Sequence, residues 1–389
     1  MKKADQDLIK KTNLTTIMEK IRTEGPISRA SISRITGLSR STCSILVDEL
    51  ISEGLIIETG KDESSGGRKA ILLELNYEGR RAIGIKIMQK KIIAALVDLS
   101  GRIIEMNSEN ISNNCSESDL MSVLLKIVKN LISYEKIHSN EIIVGIGIGI
   151  GGKIDFHNGI LLESSILRLK NIPIGRILED KTGIPVYLEN DVNVFTVGEK
   201  YFGAGLKYNN FLCVSLGLGI GAGIIVDDVL FRGSHHIAGE FGHIRITDNE
   251  HSKYCSCGKR GCLEAYASNH AITEYYFELT GNKTSIEEIT ILAEKENKSA
   301  QQAFLRAGTY LGYGISTLIN LFDPETIIIG GEGAVYYKYM KSEISRIVAE
   351  DTVYGLAKEV KIQTVLFDDN LWIRGAAALV VREVFRKQI

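Results

Sequence analysis

Nothing in this sequence is long enough or one-sided enough to settle its class by bulk property. Lysine and arginine number 46 against 48 aspartates and glutamates, a formal net charge of −2. The chain as a whole is therefore no general polyanion binder, and any nucleic-acid contact must come from a local surface. The longest apolar stretches, around 142–152 and 211–226, are glycine-rich and shorter than the ~18–20 residues of a membrane span. The opening MKKADQDLIK has no secretory h-region, so a cytoplasmic protein with no membrane partner is expected. Cysteine is sparse and unevenly placed. Three of the six cysteines fall between 255 and 262, which in a reducing compartment favours a metal over disulfides.

What is present is a 389-residue chain, 44% hydrophobic and 24% charged, and therefore globular in composition. Its length suits a small module joined to a larger two-lobed body, with the division expected at 78/79. In the module, Leu8, Leu14, Ile17, Met18 and Ile21 form a helical stripe that Gly25-Pro26 ends. Ser28 can cap a second helix with Ile32 and Ile35 inward, stopped by Gly37. Ser39 can cap a third, in which Cys43, Leu46, Val47, Leu50 and Ile51 share one buried face. The turn Thr36-Gly37-Leu38-Ser39 makes the last two a helix-turn-helix. Ser39, Arg40, Ser41, Thr42 and Ser44 then crowd the start of the third helix, where side chains reach phosphates and base edges. Asp48, Glu49 and Glu53 lie further along and are expected to point away from phosphate. Two apolar runs, 55–59 and 70–75, flank a loop containing Gly66, Gly67, Arg68 and Lys69. That is a hairpin with a thin cationic tip, suited to a minor groove or a phosphate. The expected partner is double-stranded operator DNA, bound by a homodimer or tetramer that combines half-sites.

In the remaining chain, 82–106 reads as three strands joined by two turns, and 211–233 repeats the pattern. Each is followed by helices and further strands, as two α/β lobes of a duplicated fold would be. The sharpest signal is HIRITDNEHSKYCSCGKRGC. Gly258 and Gly261 bend the chain so that Cys255, Cys257 and Cys262 aim at one point, and His243 completes a tetrahedral Cys3His set. That set suits a structural Zn2+ and leaves no open position for hydrolytic water. Free thiols or a redox pair are the rival readings, and His235, His236 and His251 are alternative ligands. Cys43, Cys115 and Cys213 stand alone and read as ordinary residues.

The combination of GLGIGAG, AGEFGH, CSCGKRGCLE and DPETIIIGG with the amino-terminal module resembles the ROK family, which joins sugar kinases with sugar-responsive repressors of the xylose and N-acetylglucosamine type. The resemblance covers nearly the whole chain. It implies an α/β fold: a winged helix-turn-helix followed by a two-lobed, actin-like (ribonuclease H-like) body with a sugar-binding cleft. It implies effector contacts at Gly152 in GGKID, Asn190 and Asp191 in ENDVN, Glu240 and His243 in GEFGH, and Glu264 in CLE. In the family's kinases the residue matching Asp191 is the general base.

The departures argue against an enzyme. The kinases' Asp-x-Gly-Gly-Thr-Lys is here Lys86-Ile87-Met88-Gln89-Lys90-Lys91, and the threonine of the second phosphate loop is Leu218. Phosphoryl transfer depends on positioning and charge stabilisation, so no kinase activity is expected; an ATP-dependent sugar kinase with an attached DNA-binding head is the alternative. A sugar-contacting Pro-Asn-Leu is replaced by Ser165-Ile166-Leu167 and a nearby aromatic by Leu169, while Lys153 and Arg168 add positive charge. These changes point either to an unusual or acidic sugar derivative as effector or to weak sugar binding.

Overall fold

The computed structural model describes residues 2–61, 70–139, 141–248, 250–366 and 368–387. Residues 62–69, and with them the expected DNA contacts Gly67, Arg68 and Lys69, lie outside the described residues.

The chain opens with α1 (Lys2–Glu24), β1 (Ile27–Ser28), α2 (Arg29–Thr36), α3 (Arg40–Ser52), β2 (Ile56–Lys61) and β3 (Ile71–Leu75). Strands β1, β3 and β2 pair antiparallel in that order. The core of this head is Leu14, Ile17, Met18 and Ile21 from α1, Ile32 from α2, and Cys43, Leu46, Val47 and Leu50 from α3. Two expectations fail here. Leu8 is exposed, because the buried stripe of α1 begins only at Leu14. Ile35 is also exposed; it precedes the last residue of α2, after which Gly37 turns the chain at φ 72°.

Next come β4 (Arg80–Ile87), β5 (Lys91–Asp98), β6 (Ile103–Asn110), α4 (Glu117–His138), β7 (Ile142–Ile150), β8 (Lys153–Asp155), β9 (Ile160–Ser164), β10 (Leu169–Ile172), α5 (Ile174–Thr182), β11 (Val186–Asn190) and α6 (Asp191–Phe202). The later part holds β12 (Phe211–Leu216), β13 (Ile220–Val226), β14 (Val229–Leu230), α7 (Glu264–Ala267), α8 (Asn269–Thr280), α9 (Ile286–Glu294), α10 (Lys298–Phe322), β15 (Thr326–Gly330), α11 (Tyr337–Asp351), α12 (Leu356–Glu359), β16 (Lys361–Thr364) and α13 (Asp369–Lys387).

Two compact units result. One comprises residues 1–194 and 372–389, the other 195–371. The first contains the sheet β11-β7-β4-β5-β6, the second β14-β13-β12-β15-β16. Numbered within each sheet, both have the order 3-2-1-4-5. In both, the first three strands are antiparallel and the last two add in parallel. The repeated hairpin seen in the sequence is thus the visible part of a repeated topology.

The glycine-rich β7 has a packing reason. A Cβ on Gly147 would lie 1.8 Å from the carbonyl oxygen of Ala376, and one on Gly84 would lie 2.1 Å from that of Ile373. The backbone of α13 therefore rests directly on the first sheet, and only glycine admits that approach. In the second unit, α10 is the spine of the core, burying Phe304, Leu311, Ile315 and Ile319. No helix among the described residues is long and apolar enough to cross a membrane.

Candidate functional site

The recognition helix is held by caps at both of its approaches. Ser28 Oγ accepts the Ser31 amide at 3.2 Å to start α2, and Ser39 Oγ accepts the Thr42 amide at 3.1 Å to start α3. The turn between them is locked by Ser33 Oγ, which donates to the Leu38 carbonyl at 2.7 Å. Ser39 Oγ also lies 2.9 Å from Ser41 Oγ and 2.8 Å from Thr42 Oγ1. These hydroxyls thus form one cluster at the positive end of the helix dipole. Arg40 and Ser41 are exposed, Thr42 and Ser44 half-buried. The acids further along α3 are matched with cations: Asp48 with Arg29 at 2.6 Å and Glu49 with Lys10 at 2.7 Å. Two exposed residues escaped the sequence reading. Arg34 lines a shallow hollow with Ala30, Ser31, Ser33 and Arg40, and Ile45 stands on the outward face of α3.

In the first unit, β11 delivers Asn190 and Asp191 to the start of α6. Asn190 Oδ1 accepts the Val192 amide at 2.9 Å, and its Nδ2 donates to the Gly152 carbonyl at 3.1 Å. Gly152 has φ 141°, and a Cβ there would meet the Glu163 carbonyl oxygen at 2.3 Å. Asn190 therefore caps a helix and braces a turn that only glycine can make. Asp191 is half-buried. Burial raises its carboxyl above the ordinary range, while the Val192 amide and the charge of Lys86 pull the other way. Lys86 is only 8% exposed, and its Nζ lies 4.6 Å from the ring centroid of Trp372. A Cβ on Gly151 would touch both Ile166 Cδ1 at 2.9 Å and Asp191 Oδ2 at 3.5 Å. The apolar replacement at Ile166 thus borders the same glycine as the acid. Lys153 and Arg168 are both exposed, Arg168 at φ 57°.

The two turns that the family resemblance matches with kinase phosphate loops follow β4 and β12. Lys86 and Ile87 are the last two residues of β4. The Met88 amide continues the ladder by donating to the Lys91 carbonyl at 2.9 Å, which removes it from any phosphate. In the second unit, Leu218 stands 75% exposed in the turn between β12 and β13, with no hydroxyl to offer an oxyanion.

The second unit holds the remaining predicted residues. Glu240 precedes the short 3-10 turn Phe241–His243, and its Oε2 lies 3.8 Å from His243 Nε2. The other ring nitrogen, Nδ1, lies 3.5 Å from Cys255 Sγ. Glu264 Oε1 accepts from Ser256 Oγ at 2.9 Å, and its Oε2 accepts the Ile220 amide at 3.2 Å. That carboxylate ties the cysteine segment to the start of β13. The donor atoms of His243, Cys255, Cys257 and Cys262 lie within 4.8 Å of one another, a cluster able to hold a metal ion. Cys257 and Cys262 sulfurs are 3.7 Å apart. A tetrahedral ion with metal–sulfur bonds of ~2.3 Å would set its sulfurs about 3.7–3.8 Å apart, whereas a disulfide needs about 2 Å. Burial, then the adjacent Cys257 and Cys255, pushes the Cys262 thiol up to about 12. Gly258 and Gly261, at φ 83° and 80°, make the bends. His235, His236 and His251 are not in the cluster. Cys43, Cys115 and Cys213 are buried single thiols.

Comparison with known proteins agrees with this geometry at both ends of the chain. Residues 82–383 match the ROK family and residues 12–57 a winged helix-turn-helix DNA-binding domain. The sequence is 31% identical over 390 residues to a xylose repressor of Caldicellulosiruptor bescii, covering 97% of each chain. A ROK family transcriptional regulator homologous to the Mlc protein of E. coli superposes with TM-score 0.86 at 28% identity, over 97% of both chains. A ROK family glucokinase from Streptomyces griseus, solved with glucose and AMPPNP, superposes with TM-score 0.65 at 26% identity. It covers 98% of its own chain but only 77% of this one. Proteins named as repressors or transcriptional regulators match head and body together, whereas the glucokinase matches the body alone: the chain belongs to the ROK family, with a winged helix-turn-helix at its start.

Proposed function

We propose that this protein is a sequence-specific repressor of carbohydrate genes. Residues 1–78 read operator DNA, and residues 79–389 sense a sugar and pair with a second copy. The observation that carries the reading is α3, a doubly braced recognition helix whose acids are neutralised and whose first turn presents hydroxyls and Arg40. Ser39, Arg40, Ser41, Thr42 and Ser44 are assigned to DNA, with Gly67, Arg68 and Lys69 at the wing tip. A homodimer or tetramer is assigned because a single helix-turn-helix gives weak and unspecific binding, while paired heads combine two half-sites.

The effector is a sugar or sugar derivative, recognised through Gly152, Asn190, Asp191, Glu240, His243 and Glu264. Carboxylates and ring nitrogens serve sugar hydroxyls as acceptors and donors. Zinc is the ion that the cluster of His243, Cys255, Cys257 and Cys262 suits, as the sulfur spacing supports. Bound there, with all four positions filled by protein, it supplies folding support rather than catalysis. His243 would face the ion through Nδ1, which leaves Nε2 as a proton donor beside Glu240.

The test is fluorescence anisotropy of promoter duplexes from beside the protein's own gene, titrated with a panel of neutral, acidic and phosphorylated sugars. The proposal expects tight, salt-sensitive binding to one duplex and a change in affinity with at least one sugar. Equal affinity for all duplexes would overturn it.

A further inference from the structure

Core packing does not account for one residue on the outward face of α3. Ile45 is 66% exposed. It lies two residues after buried Cys43 and two before buried Val47, which at ~100° per residue sets it nearly opposite the core. Its companions on that stripe are Ser41, one turn earlier, and Asp48 and Ser52, all exposed. Isoleucine is unfavourable here twice over. Its β-branch lowers helix propensity, and its apolar surface remains in water. Isolated exposed apolar residues are common in folded proteins. This one, however, stands at the crest of the second turn of a helix that the fold delivers to a major groove.

The surroundings match a nucleic acid better than a protein partner. Arg40 and the hydroxyls of Ser39, Ser41 and Thr42 lie on the turn before it. The carboxylates of Asp48 and Glu49, which would repel phosphate, are held by Arg29 and Lys10. Isoleucine carries no donor or acceptor, so it cannot read a base edge by hydrogen bonding. The apolar group that a base offers in the major groove is the 5-methyl of thymine.

We propose that Ile45 is a specificity-determining residue that packs against a thymine methyl group in each operator half-site. The proposal rests on the reading of α3 as the recognition helix and adds to it the chemistry of one base pair.

The experiment uses the full chain. Duplexes are selected from a random pool, and each recurrent thymine is then replaced singly by deoxyuridine, which removes one methyl group and leaves pairing intact. The expected result is one thymine per half-site at which this change weakens the wild-type protein about three- to fivefold. Ile45→Ala should be indifferent at that position, and Ile45→Val should keep part of the sensitivity. Because the side chain is exposed and its β-branch disfavours the helix, Ile45→Ala should melt at or slightly above the wild type and Ile45→Val with it. Deoxyuridine substitutions that affect wild type and Ile45→Ala equally at every position would overturn the role of Ile45. A wild-type protein that enriches no sequence would instead overturn the reading of α3.

Discussion

Gly152 shows how tightly a single position can be bound by its surroundings. Its φ of 141° and the Glu163 carbonyl oxygen, 2.3 Å from any added Cβ, exclude every side chain. Gly152→Ala should therefore cost at least about 1 kcal/mol of stability, read as a lowered thermal midpoint; an unchanged midpoint would contradict the geometry. Arg40 makes the opposite case, a residue exposed and unneeded for folding. Arg40→Ala should weaken operator binding by about 1–3 kcal/mol without moving the melting curve, which anisotropy and calorimetry on one preparation would establish. At this scale the sequence was only partly legible. Only the family resemblance pointed to Asn190 and Gly152, and nothing in their spacing said that the amide of one braces the carbonyl of the other, 38 residues away. Ile45 was passed over because helical periodicity asks which residues are buried, and an apolar residue off the stripe has no place in that question.

Elements were more legible, since caps and turns are local. Ser28, Gly37 and Ser39 marked the ends of α2 and α3, and the structure places caps at all three. Ser39→Ala should remove about 1 kcal/mol of stability and weaken DNA binding along with it, because the same hydroxyl orders Ser41 and Thr42. The cysteine segment was legible for the same local reason. Two left-handed glycines between three cysteines leave few ways to arrange the thiols. If zinc occupies them, native mass spectrometry should find one ion per chain, lost in Cys257→Ser. A strong chelator should then lower the melting temperature of the body. A chain that carries no metal and melts identically with and without chelator would contradict the zinc assignment. What the local reading could not see was the reason for the glycines of β4 and β7. Their partner, α13, arrives from the other end of the chain.

Across the whole molecule, the repeated hairpin foretold a repeated sheet, and both units have the order 3-2-1-4-5. The expectation that phosphate chemistry is lost came from the family resemblance, which sets Lys86 and Leu218 at turns where phosphoryl transfer depends on charge and hydrogen bonding. The structure adds that Lys86 is buried over Trp372 and acts on Asp191, which therefore has a resident countercharge. Lys86→Met should raise the Asp191 carboxyl further, since burial already raises it and the cation opposes that shift. A carboxylate needed for sugar binding would then be lost as pH falls, at a higher pH in the variant than in the wild type. Sugar affinity measured across pH by calorimetry should show that displacement.

The central claim is that one chain reads DNA and answers to a sugar. Footprinting on the promoter beside its own gene, repeated with increasing D-xylose and with the rest of the sugar panel, tests it most directly. The account predicts protection of a two-fold symmetric site whose half-affinity concentration moves tenfold or more with at least one sugar. Protection that no sugar alters, together with transfer of phosphate from ATP to a sugar that Asp191→Asn abolishes, would contradict it.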